Sequence, residues 1–115
     1  MELKRVVVTG LGAITPLGHN VADTWAAVVD GVSGAGPITR FDTSLFKTQF
    51  ACEVKDFDPS LYFDRKEARK YDRYAQYAVI AAKEGVEDSG LDLEKVNKNR
   101  VGVIFAAGIG GIRTF

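Results

Sequence analysis

Arg5-Val6-Val7-Val8-Thr9-Gly10-Leu11-Gly12-Ala13-Ile14-Thr15-Pro16-Leu17-Gly18 is the stretch that decides how this chain reads. Val6, Val7 and Val8 lead into Thr9 as a β-branched run with no polar alternation, the pattern of a strand buried on both faces. The run empties into Gly10-Leu11-Gly12 and then Pro16-Leu17-Gly18. A buried parallel strand opening into a glycine-rich loop points to a ligand-binding α/β layer. A dinucleotide fingerprint would need a third glycine at position 15, where the chain has Thr15. Pro16 and Gly18 also leave no room for a helix to begin there, which disfavours a nucleotide site.

Working outward, the strand at about 4–9 is followed by a predicted helix at about 21–30. Asn20 is its N-cap, Asp23 completes an acidic variant of the capping box, and Gly31 stops the last turn. Val21, Trp25, Val28 and Val29 share one face of it. Residues 31–48 carry Gly31, Gly34, Gly36 and Pro37 without a period and read as a loop. Phe50-Ala51-Cys52-Glu53-Val54 reads as a short strand. Asp64, with Glu67 three residues on, opens a long predicted helix from Arg65 to about Asp88, ended by Ser89-Gly90. Gly85 within it costs about 1 kcal/mol against Ala. Ala68, Tyr71, Ala75, Ala78, Val79 and Ala82 fall on its core-facing side. Val101-Gly102-Val103-Ile104-Phe105-Ala106 reads as a second buried strand, opening into Gly108-Ile109-Gly110-Gly111. The order β, α, loop, β, α, β is an α/β layer.

The chain has 115 residues, 46% hydrophobic and 26% charged, with a formal net charge of zero. That balance gives no whole-molecule attraction to nucleic acid or to a membrane. No stretch approaches the roughly 20 apolar residues needed to span a bilayer. The first strand begins at once, leaving no room for a signal or transit peptide. The single cysteine, Cys52, rules out an internal disulfide and fits a reducing cytoplasm. The last residues, Gly110-Gly111-Ile112-Arg113-Thr114-Phe115, follow directly on a strand, so the chain reads as the N-terminal part of a longer protein.

Few residues here are suited to chemistry. A nucleophilic thiol needs a base or a helix N-terminus beside it, whereas Cys52 is expected inside an apolar strand and is followed by Glu53. It reads as structural. His19, the only histidine, reads as a surface turn residue, and no pair of histidines or cysteines has metal-ligand spacing. The basic start of the long helix is more telling. Lys66, Arg69, Lys70 and Arg73 fall within about a 100° arc of a continuous helix. Cations near a helix N-terminus are disfavoured by the macrodipole, and like charges at i,i+3 and i,i+4 repel. An acidic partner would offset both penalties, so the face reads as a docking surface and not only as a solvated one. The patch is small and lacks stacking aromatics, which argues against nucleic acid.

The opening V-V-V-T-G-L-G-A-I-T-P-L-G resembles that of the β-ketoacyl-acyl-carrier-protein synthase II family, thiolase-fold condensing enzymes of bacterial fatty-acid synthesis. The likeness continues through D-T-W-A-A-V-V-D-G-V-S-G-A-G-P-I-T-R-F-D-T, V-K-D-F-D-P, R-K-E-A-R-K-Y-D-R-Y and G-I-G-G-I, and so covers essentially the whole chain. The resemblance implies an α/β fold, the incomplete N-terminal half of a thiolase-like layered αβαβα architecture. It implies a decarboxylative condensation of malonyl-acyl-carrier protein with a cysteine-bound acyl group, in a cytoplasmic homodimer, with no cofactor and no metal. The family's nucleophilic cysteine and two catalytic histidines would lie beyond Phe115, so these 115 residues carry no catalytic residue and are expected to be inactive alone. They are also expected to dissolve poorly, because strands 4–9 and 101–106 would lack partners. By the same resemblance Lys66, Arg69 and Lys70 dock the acidic acyl carrier protein, and Gly108 and Ile109 lie at the base of the acyl pocket, with Ile109 as its gate. Phe105-Ala106-Ala107 stands where relatives often carry Trp-Gly-Ser. A non-catalytic carrier-binding fragment and a polyketide chain-length partner, which would have Gln for the cysteine, are the alternatives.

Overall fold

The computed structural model describes residues 3–112, with Arg113–Phe115 of the final glycine-rich segment outside it. Its elements in chain order are α1 (Val21–Val29), β1 (Gly36–Pro37), β2 (Phe50–Ala51), α2 (Arg65–Ala68) and α3 (Arg73–Ser89). Single 3-10 turns lie at Pro59–Leu61 and Lys98–Arg100. The radius of gyration is 17.4 Å, against about 13 Å for a compact domain of this size. The chain is therefore an open layer, not a closed globule. Among the described residues only Gln76 (5% exposed) and Ile80 (9%) are buried.

The local signals in the sequence do fix the helix ends. Asn20 Oδ1 accepts from the Asp23 amide at 2.7 Å, and Asn20 Nδ2 donates back to the Asp23 carboxylate at 2.8 Å. Asp64 Oδ1 accepts from the amides of Lys66 (2.7 Å) and Glu67 (2.8 Å), the first turn of α2. Gly90 closes α3 in the left-handed conformation at φ 64°, and Gly31 follows α1 at φ 68°. A side chain at either φ would be strained.

The expectations for the strands and for the long helix change. Residues 4–9 and 101–106 form no strand, and neither run pairs with the other. A strand needs a neighbour about 4.8 Å away to take its amides and carbonyls, and none is present among the described residues. Their side chains consequently stand in the open, Val6 at 89% and Ile104 at 95% exposure. The strand expected over 50–54 shrinks to Phe50–Ala51. It pairs antiparallel with β1, which lies inside the stretch read as loop, in the register Gly36↔Ala51 and Pro37↔Phe50. Pro37 has no amide to extend that ladder.

The long helix of 65–88 is two helices. The chain leaves helical form after Ala68, and Asp72 is extended (φ −63°, ψ 160°) before α3 begins. The Gln76 amide reaches back across the break, donating to the carbonyls of Ala68 (2.9 Å) and Tyr71 (3.2 Å). That buried side chain replaces backbone donors the break removes. The most buried residues of α3, Gln76 and Ile80, lie off the stripe expected to face the core, of which Tyr71 and Val79 are exposed. The face Val21, Trp25, Val28 and Val29 of α1 buries no residue either.

What α3 grips is the glycine-rich loop. Glu84 accepts from the amides of Ala13 (2.8 Å) and Val21 (2.9 Å), and Asp88 accepts from Leu11 at 2.9 Å. Gly12 lies against the Ala81 carbonyl, and Gly10 against Gly85 and Ser89, so closely that neither has room for a Cβ. Gly85, read from the sequence as a weakness, is the helix's half of that contact. Beyond it Thr15 and Gly18 close a tight turn, with the Thr15 amide donating to the Gly18 carbonyl at 2.9 Å. Thr15 Oγ1 accepts from the Leu17 amide at 3.1 Å and lies 3.0 Å from Thr24 Oγ1 of α1.

Gly12→Ala should force the loop off α3 and destabilise the fold by about 1–3 kcal/mol, the usual overpacking cost. Glu84→Ala should cost a similar amount, about 1–3 kcal/mol, by leaving two amides without an acceptor, and Glu84→Gln less. Urea denaturation measures both, and a Gly12→Ala midpoint equal to wild type would show that the loop is not seated on the helix.

Candidate functional site

Lys66 lies in α2, and Arg69 and Lys70 follow it in the break before α3; all three are exposed. Asp64 caps the turn that carries them. Among the described residues the ion pairs are Arg40–Glu53, Lys83–Glu87, Lys95–Asp92 and Lys98–Glu94, none of which takes Lys66, Arg69 or Lys70. Because α2 ends at Ala68, the continuous-helix arc and its macrodipole penalty do not apply to these cations. What remains is three neighbouring positive groups in solvent.

Arg73 does not belong with them. Its guanidinium carbon lies 4.8 Å from the centroid of the Phe57 ring, a cation–π contact. Phe57, from the Val54-Lys55-Asp56-Phe57-Asp58-Pro59 segment, is an aromatic hub that sequence reasoning missed. It meets Tyr77 edge-on at 4.9 Å, stacks on Tyr62 at 5.7 Å and takes the His19 ring edge-on at 6.0 Å. No local period could reveal it, since its partners come from three separate segments. His19 is accordingly half-buried and not a free surface turn residue: its Nε2 donates to the Lys55 carbonyl at 2.7 Å. Lys55 Nζ in turn donates to the carbonyls of Gly34 (2.7 Å) and Pro16 (3.3 Å).

On the other side of Arg73 is a cleft of about 450 Å³, lined among others by Arg40, Cys52, Glu53, Tyr74, Tyr77 and Ile109. Cys52 is exposed here and lies just past β2, not inside a strand. Glu53 accepts from Thr39 Oγ1 at 2.7 Å and from the Thr39 amide at 3.3 Å, with Arg40 Nε at 3.7 Å. The Thr39 hydroxyl, more than the Arg40 charge, holds the Glu53 carboxyl below its ordinary range. Asp58 is lowered likewise by Ser60, whose amide it accepts at 2.8 Å. Ile109 reaches the cleft wall as a largely exposed side chain. Gly108 and Gly110 differ. A Cβ on Gly108 would meet open space, so no close approach explains it, whereas one on Gly110 would run into the Tyr74 ring. Among the described residues no three His, Cys, Asp or Glu side chains converge as metal ligands, and no helix is long and apolar enough to cross a membrane.

The site thus places a basic surface, without an ion pair among the described residues, on α2 and the break after it, and a cleft beside α3 that both Cys52 and Ile109 line. Comparison with known proteins gives the chain a family. The family model for the β-ketoacyl synthase N-terminal domain matches residues 3–114. The 3-oxoacyl-[acyl-carrier-protein] synthase 2 of Coxiella burnetii is 53% identical over 112 residues, 97% of this chain and 27% of that protein. The synthase of the same name from Synechocystis is 47% identical, over 98% of this chain and 27% of its own length. Among solved structures, the ishigamide ketosynthase/chain length factor superposes with a TM-score of 0.67 at 43% identity, over 76% of this chain and 22% of that one. A type II PKS acyl-carrier protein in complex with its ketosynthase bound to the hexaketide gives a TM-score of 0.61 at 32% identity, over 85% and 24% of the two chains. The chain belongs to the β-ketoacyl synthase family, and its α/β elements are part of the thiolase-like fold of these ketosynthases. It spans about a quarter of the length of the curated relatives it matches.

The lowered Glu53 pKa has a testable sign. The Thr39–Glu53 contact stabilises the folded chain fully above the ordinary glutamate value of 4.5 and is lost as pH falls through the lowered folded value. The Thr39 amide resonance should titrate below 4.5 in the wild type and stay flat in Glu53→Gln. A midpoint at or above 4.5 would mean that Thr39 does not favour the charged carboxylate.

Proposed function

We propose that this chain is the N-terminal part of a homodimeric, cytoplasmic β-ketoacyl-acyl-carrier-protein synthase of type II fatty-acid biosynthesis. In that reaction malonyl-acyl-carrier protein loses its carboxyl group as carbon dioxide. The carbanion left behind attacks the carbonyl of an acyl chain held on a cysteine, the cysteine thiolate leaves, and the product is a β-ketoacyl thioester two carbons longer. The cysteine and two histidines of that step belong to sequence beyond these residues, and the segment alone turns nothing over.

The observation that carries the proposal is the exposed group Lys66, Arg69 and Lys70, which makes no ion pair among the described residues. Positive charges left unpaired on a capped turn suit an acidic partner that arrives by diffusion, because rim charges act mainly on encounter rate. Relatives named for acyl-carrier-protein substrates, and a similar ketosynthase bound to its acyl-carrier protein, support that partner. Gly108 and Ile109 form the floor of the acyl pocket, a role supported by the position of Ile109 on the cleft wall. A second reading, a polyketide chain-length partner, is supported by the likeness to the ishigamide ketosynthase/chain length factor. Glutamine instead of cysteine at the nucleophile position of the whole protein would decide for it.

In the full-length enzyme Lys66→Glu with Lys70→Glu should weaken turnover of carrier-bound substrates roughly ten-fold or more at low salt while sparing carrier-free thioesters. The loss should shrink as ionic strength rises and the Debye length shortens. An equal loss with both substrates would remove the docking role. Ile109→Phe should keep short acyl primers and lose long ones, about ten-fold for each 1.4 kcal/mol of clash. A uniform drop across a primer-length series in an acylation assay would make Ile109 a packing residue.

A further inference from the structure

Gly110 lies against the side of α3, where an added Cβ would come to 2.7 Å from Tyr74 Cζ, 2.8 Å from Cε1 and 2.9 Å from Cε2. Real Cβ atoms essentially never approach that closely, so the Gly110 backbone rests directly on the Tyr74 ring. The φ of Gly110 lies outside the left-handed range, unlike that of Gly111 at 74°. Gly110 is thus required for space, Gly111 for backbone conformation. Gly108, two residues earlier, touches nothing that a Cβ would disturb. The segment thus rests on the Tyr74 ring at Gly110, and Ile109 is the residue immediately before that contact. Tyr74 is fixed from the other side, as the second residue of α3, whose start is held by the Gln76 contacts to Ala68 and Tyr71. Tyr74, Ile109, Gly111 and Ile112 line one cleft.

We infer that Tyr74 is a positioning residue for acyl-chain selection: its ring sets the height of the Gly110 turn and with it the placement of the Ile109 side chain. The inference rests on the proposed pocket role of Ile109. Tyr74 touches no reacting atom. It acts through Ile109, and a ring of this size and flatness suits a glycine backbone better than any branched side chain. The same contact links the pocket to the α2–α3 break beside Lys70, because Tyr74 lies four residues from that cation.

The test is a double-substitution cycle in the full-length enzyme, with acyl-enzyme formation read across short and long primers. Gly110→Ala pushes the turn off the ring and should lower the long-to-short ratio roughly ten-fold. Tyr74→Ala removes the ring on which the turn rests, so Ile109 drops and the ratio should rise about three-fold; an unchanged ratio would leave Tyr74 no positioning role and overturn the inference. The combined variant should return to within about three-fold of wild type, since the added methyl then has space. Tyr74→Leu, which keeps apolar volume beside α3, guards against a variant that fails to fold and should relieve Gly110→Ala in the same way. A Gly110→Ala loss equal at every primer length, or one that neither Tyr74 substitution relieves, overturns the inference. Ile109→Phe run alongside separates the two failures. If it is uniform across lengths, the pocket reading falls and this inference with it. If it is length-selective while Gly110→Ala is not, only the role of Tyr74 falls.

Discussion

The carboxylate of Glu84 is the fixture on which the described structure turns. It takes two amides from different segments, Ala13 of the glycine-rich loop and Val21 at the start of α1, while Asp88 one turn later takes Leu11. A charged acceptor bonded to backbone amides is among the stronger contacts a half-exposed site can offer. It works only because Gly10 and Gly12 let the loop come down onto the backbone of α3 at Ala81 and Gly85. Hydrogen bonds and glycine contacts thus depend on each other: a side chain at position 12 would lift the amides out of Glu84's reach. From there the order passes along Thr15 and Thr24 into α1, and through Lys55 and His19 to the Phe57 hub.

What the sequence revealed divides by range. Helix caps are local, and Asn20, Asp64, Gly31 and Gly90 all do what their positions imply. The partner of the glycine-rich loop, α3, lies some seventy residues away and leaves no local trace. The break at 69–72 was hidden because Asp72 has no acidic residue three positions on to mark a second capping box, and because the charges that repel in one continuous helix are ordinary in sequence. Residues 4–9 and 101–106 have the composition of buried strands, but a strand is a property of pairs, and composition cannot show whether the neighbour is in the chain. The Arg73 placement failed for a related reason. A helical arc assigns a residue to a face but cannot tell that an aromatic ring from position 57 waits on the next one.

The site was legible to the same degree. Ile109 was singled out by the family resemblance alone, and the structure places it among the residues that line the cleft. Lys66, Arg69 and Lys70 are together and exposed, though on a four-residue helix and a bend instead of one helical face. Cys52 was read as structural on the strength of a strand that ends at Ala51, and it stands exposed. The two arginines that line the same cleft are both engaged, Arg40 by Glu53 and Arg73 by the Phe57 ring.

The contacts of Glu84 and Asp88 also set an order of events during synthesis. They join residues separated by 63, 71 and 77 positions. At about 5–20 residues per second on the ribosome, the loop at 10–18 waits roughly 4–15 s for the helix that will hold it. Val6, Val7 and Val8 precede that loop and stay largely exposed even after it is seated. The closure of so long a loop is itself cheap, rising only with the logarithm of its length. The hazard is exposure time, and it falls on the amides of Leu11, Ala13 and Val21 before their acceptors have been made.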